Sequence, residues 1–279
     1  MNANQIRSYN QKSLTLDQVE KVAPSIFASQ PWEGVSAKYT FIPTIKVVES
    51  LMSEGWQIMQ ASQNRTRIAE KKFFTKHLIR FRRENELAIN DVFPEIVLIN
   101  SHDRGSAYQM HAGLFRLVCS NGLIVADATF SKISVRHSGQ IVDEVRKSAD
   151  IISAEMPRVL TGIEAMKLIE LTKNEQGIFA ETAKRMKYGE ESPLQSAQLL
   201  EPRRHGDVGN DLWSTFNRVQ ENITKGGKHY LIPAHRDEEG NYVRTKSRKT
   251  RKINSITEDT KINKALWFMA EEMRKLKTV

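Results

Sequence analysis

The stretch Phe73-Phe-Thr-Lys-His-Leu-Ile-Arg-Phe-Arg-Arg83 decides the predicted fold, because two kinds of residue alternate along it. One parity carries Phe73, Thr75, His77, Ile79 and Phe81, and the other carries Phe74, Lys76, Leu78, Arg80 and Arg82. Successive side chains of a β-strand point to opposite faces of its sheet. The stretch therefore predicts a strand with one packed face and one face that offers Lys76, Arg80 and Arg82 at steps of about 7 Å.

Neighbouring stretches have the same strand-like composition. β-branched and aromatic residues are frequent in Gly55–Ala61, Phe73–Arg83, Ile96–Asn100 and Ala107–Cys119. Turn-forming residues separate these stretches at Ser62-Gln63-Asn64, Asn90-Asp91 and Asp103-Arg104-Gly105. Strand-like runs between turn signals predict an antiparallel meander.

Helical periodicity lies on both sides of the predicted sheet. Leu14–Phe27 and a short helix capped by Thr44 precede it, and an apolar stripe from Val145 to Met166 follows it, with a kink expected at Pro157. Further stripes over Leu212–Ile223 and Ile262–Leu276 predict a helical C-terminal part. The fold class is therefore α+β, with a central antiparallel sheet flanked by helices. We expect an N-terminal segment over residues 1–43, an α+β core over 44–185, and a helical C-terminal region with a basic loop over 186–279.

The positive charge of the chain is concentrated in two segments. The formal net charge is +9, yet residues 65–83 hold eight cations against one acid and residues 225–252 hold nine against three, so the remainder is slightly acidic. Focal positive charge is suited to neutralising phosphates. The predicted nucleic-acid contacts are Arg65, Arg67, Lys71, Lys72, Lys76, Arg80, Arg82 and Arg83 in the first cluster, and Arg244, Lys246, Arg248, Lys249, Arg251 and Lys252 in the second.

The second cluster and its neighbouring aromatic residues favour a single-stranded ligand. Residues 244–252 include no apolar side chain, so they predict a mobile, solvated loop that clamps an anionic polymer. Unpaired bases stack on exposed rings. Among the rings in or beside the basic segments, the pair His229-Tyr230 is the preferred stacking site.

Composition and motifs argue against several other classes of function. His102, Asp103, His111, Cys119 and His137 are metal-ligand types, but their spacings match no metal signature, so we expect neither a metal nor another cofactor. Gly-rich phosphate loops and nucleophile elbows are absent, which leaves enzymatic activity open but not favoured. One cysteine, no apolar run of membrane length and no signal-peptide pattern predict a cytoplasmic protein that does not enter the membrane.

The most distinctive motifs are Asn100-Ser-His-Asp103, Gly113-Leu-Phe-Arg-Leu-Val-Cys-Ser-Asn-Gly122 and Arg136-His-Ser-Gly139. Together with Ala23-Pro-Ser-Ile-Phe-Ala28 and Leu212-Trp-Ser-Thr-Phe-Asn-Arg-Val-Gln-Glu-Asn222, they resemble the phage/plasmid-like family known as domain of unknown function 932. The resemblance assigns no role to the motif residues Asn100, His102, Asp103, Arg116, Asn121, Arg136 and His137. Arg116 lies among apolar residues and needs an anionic or carbonyl partner, for which Asp103 is a candidate.

What the resemblance implies is a protein of mobile elements in bacterial hosts, acting in DNA replication, recombination or host defence. The order of elements is also similar to the core of Rad-fifty-two-like single-strand annealing proteins. The preferred prediction is a single-stranded DNA-binding protein that serves annealing or recombination. The alternative is an anti-defence or host-takeover factor that binds protein through the helix Val145–Met166, and the same helix predicts a homo-oligomer.

Overall fold

The computed structural model describes residues 5–8, 12–33, 41–86, 88, 92–116, 121–125, 141–236, 238–239 and 242–278. Two compact units make up the chain, residues 1–160 with 255–257 and residues 161–254 with 258–279. The boundary falls within the long third helix, whereas the sequence predicted boundaries after residues 43 and 185.

The first unit is built on a six-stranded antiparallel sheet whose strands follow chain order. Its strands are β1 (Gln5–Arg7), β2 (Trp56–Gln63), β3 (His77–Arg83), β4 (Val92–Asn100), β5 (Gln109–Arg116) and β6 (Asn121–Ile124). This confirms the predicted α+β class and the meander. The stretch quoted above enters the sheet four residues later than predicted, because Glu70–Phe73 form a 3-10 turn.

Six α-helices accompany the sheet in the described residues, and α4 and α5 belong wholly to the second unit. They are α1 (Leu16–Val22), α2 (Thr44–Ser53), α3 (Ile141–Leu168), α4 (Lys173–Tyr188), α5 (Leu212–Lys225) and α6 (Ile256–Lys277). One expectation needs correction, because Pro43, not Thr44, precedes α2 as its cap. The apolar stripe of α3 from Val145 to Met166 is buried within the chain. Protein binding and self-association through this helix stay predictions.

Strong curling of the sheet follows from the position of one side chain. Arg80 lies on β3, yet its Nη1 donates to the carbonyl of Leu123 on β6 at 3.1 Å. A guanidinium cannot span three flat strands, because each strand adds about 4.8 Å. The sheet therefore bends until β3 and β6 approach one another around Arg80.

Two glycines of the family-like motif make room for that guanidinium. A Cβ atom at Gly122 would lie 2.6 Å from Cζ of Arg80, and one at Gly113 would lie 3.0 Å from its Nη1. Neither glycine has a positive φ. Glycine is therefore required at these two positions because Arg80 occupies the space of a Cβ atom, and not because the backbone has a positive φ.

We predict that Gly122→Ala lowers the free energy of unfolding by about 1–3 kcal/mol, since the added methyl group displaces a buried guanidinium. Gly177→Ala is the matched control, because nothing lies within 4 Å of a Cβ at this position of α4. Helix propensity should make the control stabilising by up to about 1 kcal/mol. Thermal and urea unfolding measure both, and equal effects of the two substitutions would contradict the space requirement.

Candidate nucleic-acid interface

The first basic cluster does not form the exposed strip that the sequence predicted. Arg80 and Arg82 are only 2% and 5% exposed, because the second face of the curled sheet is enclosed as fully as the first. Glu95 on β4, whose side chain is fully buried, binds Arg80 at 3.4 Å and Arg82 at 2.9 Å. Both guanidinium groups are thus engaged inside the fold, where they do not meet a phosphate.

Arg7 of β1 completes a buried network around the same carboxylate. Its Nη2 lies 3.0 Å from Oε1 and 3.1 Å from Oε2 of Glu95. The Arg7 guanidinium also lies 3.6 Å from the ring centre of Phe115, and that of Arg82 lies 3.8 Å from the ring of Phe93. Burial lowers the pKa of Arg7 to about 10. One carboxylate, two aromatic faces and a backbone carbonyl thus stabilise three buried cations.

Other members of the first cluster also have partners within the first unit. Lys71 pairs with Asp103 at 3.1 Å, and Lys76 donates to the hydroxyl of Thr257 at 2.8 Å. Arg83 donates to the carbonyl of Glu54 at 3.1 Å. The exposed members of this cluster are Arg65, Arg67 and Lys72. The cluster is therefore mostly structural, although its sequence is as basic as that of the second.

The motif Asn100-Ser-His-Asp103 contributes to a buried hydrogen-bond network centred on Thr44. The hydroxyl of Thr44 lies 2.9 Å from Nε2 of His77, 3.1 Å from Nε2 of His102 and 3.0 Å from Nδ2 of Asn100. All four residues are completely buried. Asp103 pairs with Lys71 and accepts from the backbone of Gly105. Arg116 lies opposite Val92, at the other end of the β4–β5 ladder, so Asp103 is not the partner that we predicted for it.

The hydrogen-bond partners in this network indicate which nitrogen of each histidine carries the proton. The carbonyl of Thr75 can only accept, and it lies 3.1 Å from Nδ1 of His77, so Nδ1 carries the proton. Nε2 of His77 then accepts from Thr44, whose oxygen is left to accept from Asn100 and His102. Burial lowers the pKa of His77 to about 4, which agrees with a neutral ring. These motif residues act as connectors of α2, β3 and β4.

Three motif positions receive no side-chain assignment. Arg136 and His137 lie outside the described residues, and so does the side chain of Asn121 at the start of β6. Arg116 is half-buried at the end of β5. In the part of the chain that is described, no group of three or more His, Cys, Asp or Glu residues is arranged to hold a metal ion.

The second basic cluster forms strands, so the prediction of a mobile loop is wrong. β7 (His229–Ile232) pairs with β10 (Lys246–Lys249), and β8 (His235–Arg236) pairs with β9 (Tyr242–Val243). Both ladders have the same register. Ile232 lies opposite Lys246 and His235 lies opposite Val243, so the two ladders are separated by the same number of residues on each side of the hairpin. Pro233 has no N–H to donate and interrupts the ladder. We call this interrupted hairpin, residues 229–236 and 242–249, the basic ribbon.

The base of the basic ribbon is fixed to the end of α5. Gly227 donates to the carbonyl of Thr250 at 2.8 Å, and Thr250 donates to the carbonyl of Lys228 at 2.9 Å. Gly226 has a φ of +62°. A Cβ there would lie 2.5 Å from the backbone of Arg251, so only glycine permits this close approach. The ribbon is held by backbone contacts that the side-chain composition does not reveal.

Alternation along the ribbon places three of its cations on one face. Arg248 lies opposite Tyr230 and Lys246 opposite Ile232, and Arg244 and Tyr242 continue the same parity. The cations Arg244, Lys246 and Arg248 are exposed, Tyr242 is 67% exposed and Tyr230 is half-buried. None of the three cations has a carboxylate within ion-pair distance in the described chain. The predicted pair His229-Tyr230 is split, because His229 lies on the other face with Lys249.

Sequence reasoning missed two residues that organise these sites. Glu95 is an acid in the otherwise apolar residues 92–99, and a lone charge in such a strand signals a buried partner. Tyr242 was missed because no strand was predicted near it. Its parity with the basic residues becomes visible only once the ribbon's register is known.

We predict that Glu95→Gln lowers the free energy of unfolding by about 3–5 kcal/mol, because it leaves three guanidinium groups buried without a counter-charge. Glu84→Gln, in the exposed turn after β3, is the control and should change stability by less than about 0.5 kcal/mol. Denaturant unfolding compares the two variants. A Glu95→Gln protein as stable as the control would show that Glu95 does not hold the cluster.

The depressed pKa of His77 predicts a pH dependence of stability. Between its ordinary value near 6.5 and the folded value of about 4, the unfolded chain binds a proton that the folded chain excludes. The His77 contribution is fully present above pH 6.5 and decreases by about 3 kcal/mol as the pH falls toward 4. Urea unfolding at pH 7 and pH 4.5 should show a smaller difference for His77→Gln than for the wild type. The exposed His205→Gln should retain the wild-type difference.

The comparisons with known proteins agree with the resemblance seen in the motifs. The family model "Domain of unknown function (DUF932)" matches residues 31–267. The chain is 39% identical to the UPF0380 protein YafZ and 38% identical to the UPF0380 protein YfjQ, both of Escherichia coli K12. Each match covers 97% of this chain and 94% of the relative.

Two further findings concern solved structures and membrane-spanning helices. No solved structure matches the chain, so the likeness to Rad-fifty-two-like annealing proteins stays a prediction. Within the described residues, every helix is too short or too polar to cross a bilayer. The family model covers most of the sequence and the two relatives match along nearly all of their length, and on that basis this chain belongs to the family of the domain of unknown function 932.

Proposed function

We propose that this protein binds single-stranded nucleic acid along the basic face of its ribbon, the face that carries Tyr230, Tyr242, Arg244, Lys246 and Arg248. The observation that carries the proposal is the placement of three exposed cations at alternate positions, Lys246 and Arg248 on β10 and Arg244 two residues before it, each without an ion-pair partner in the described chain. The first basic cluster does not support it, since Arg80 and Arg82 are buried.

Electrostatics supply the affinity in this proposal. Alternate residues of a strand lie about 7 Å apart, so the three cations form a line that follows a phosphate backbone. Their side chains are free to replace condensed counterions, and the binding therefore weakens as salt rises. Lys249, Arg251 and Lys252 are also exposed and add to the positive field near the base of the ribbon.

The two tyrosines favour an unpaired strand over a duplex. Tyr242 is exposed at the far end of the basic face and Tyr230 is half-buried near its base. Bases that are not paired can stack on such rings, with about 1–3 kcal/mol for each base. Bases of a duplex keep their own stacking partners. Annealing and recombination of a mobile element remain the processes that we predict such a surface to serve.

The test is the charge reversal Arg244→Glu, Lys246→Glu and Arg248→Glu in the full chain. We expect at least a hundredfold loss of affinity for a labelled single-stranded oligonucleotide at 0.1 M salt. Three lost phosphate contacts should lower the slope of log affinity against log salt by about 2. Fluorescence anisotropy over a salt series measures both quantities.

The matched control reverses three exposed lysines elsewhere, Lys21, Lys147 and Lys173, with the same change of net charge. The control variant should keep most of the affinity for the oligonucleotide, because in this proposal binding depends on the line of cations on the ribbon and not on the net charge of the protein. Equal loss in both triple variants, or wild-type protein without salt-sensitive binding, would refute the proposal. Tighter binding to a duplex of the same length would refute the strand preference alone.

A further inference from the structure

A cleft of the first unit has the features of a small-molecule site. It has a volume of about 320 Å³ and lies between the sheet and α3. Binding pockets for small ligands usually begin at roughly 300 Å³. Its apolar walls come from Pro94 and Ile96 on β4 and from Ile152, Met156 and Leu160, which recur every four residues on α3.

One wall contains a buried hydrogen-bond donor without an acceptor. Trp56 is only 4% exposed, and its indole Nε1 has no hydrogen-bond partner in the described protein. A buried N–H that lacks an acceptor costs about 1–3 kcal/mol, so such groups are rare in folded proteins. Trp56 lines the cleft, and a ligand whose acceptor reaches Nε1 would remove this cost.

A second donor lies next to the first. Arg83 pairs with Trp56 across β2 and β3, and its guanidinium lies 4.7 Å from the indole ring centre. Its ion pair with Asp150 is long, at 3.6 Å, and Asp150 is 68% exposed, so water screens the interaction. Arg83 therefore retains donors for a further anion at the mouth of the cleft.

The wall formed by α3 contains a proline, which interrupts the backbone hydrogen bonds of the helix. Pro157 lies inside α3 and lines the cleft together with Ser153. Proline has no N–H, so it offers no hydrogen bond to the carbonyl four residues earlier, that of Ser153. A proline at this position shapes the cleft wall at the expense of helix stability.

From these contacts we infer that the cleft binds a small monocarboxylate with an apolar body. The apolar part fills the space between Ile96 and Ile152, and the two carboxylate oxygens accept from the indole N–H of Trp56 and from Arg83. Two carboxylates also line the cleft, Glu86 and Glu95, and the charge of Glu95 is balanced by its three guanidinium partners. Glu86 opposes a second negative charge on the ligand, so monoanions bind in preference to phosphate or dicarboxylates. This site is separate from the basic ribbon, which belongs to the other unit.

Calorimetric titration of the full chain tests the inference with probes of one shape and different charge. The probes are 3-phenylpropionate, its amide, the corresponding amine and phenylsuccinate. We expect 3-phenylpropionate to bind at least about tenfold more tightly than the other three, because a charge-assisted hydrogen bond exceeds a neutral one by about that factor. Amide or amine binding as tight as the acid would overturn the inference, and so would the absence of any binding.

Two variants locate the site. Arg83→Met keeps an unbranched apolar stem but removes the donors, and it should weaken 3-phenylpropionate about tenfold while leaving the amide unchanged. Trp56→Phe should weaken both probes, because both use the indole N–H. Arg146→Met, an exposed position of α3 outside the cleft, is the control and should bind as the wild type does. Unchanged affinity in Arg83→Met would overturn the inference even if Trp56→Phe failed to fold.

Discussion

The buried carboxylate of Glu95 is the interaction on which the sheet of this protein depends. It binds guanidinium groups from β1 and β3 in an interior where charges are costly to desolvate. The sheet must curl for Arg80 to reach both Glu95 and the carbonyl of Leu123, and the curl brings Gly113 and Gly122 against the same guanidinium. Without the carboxylate, the three cations would repel one another in a space that water does not enter.

This arrangement explains why two equally basic segments have different properties. In the first, the strand-forming residues place arginines beside an internal acid, so their charge is used to hold strands together. In the second, Glu238 and Glu239 lie at the far turn of the hairpin, and Arg244, Lys246 and Arg248 have no carboxylate within ion-pair distance among the described residues. Charge that is already paired inside a fold contributes little to an external electrostatic field. The basic ribbon, in contrast, keeps Arg244, Lys246 and Arg248 exposed.

The motifs shared with the family have a structural explanation in the described residues. Asn100 and His102 donate to the hydroxyl of Thr44, and Asp103 holds Lys71 and the turn at Gly105. Gly113 and Gly122 admit Arg80. These residues join β3, β4 and α2 and do not converge on an open cavity. The two surfaces for which we propose ligands, the basic ribbon and the cleft beside Trp56, depend on side chains outside those motifs.

The sequence by itself determined the α+β class, the strands β2 to β5 with helices before and after them, and the two foci of positive charge, because periodicity and composition are local properties. It also placed Arg80 and Arg82 correctly on one face of β3. Only the tertiary structure decided that this face is buried, since burial depends on the curl of six strands and on Glu95, which lies on another strand. In the same way, residues 246–249 form a strand only because a partner strand lies beside them. Pairing between distant segments therefore decided which cations remain exposed, and no local pattern encodes that choice.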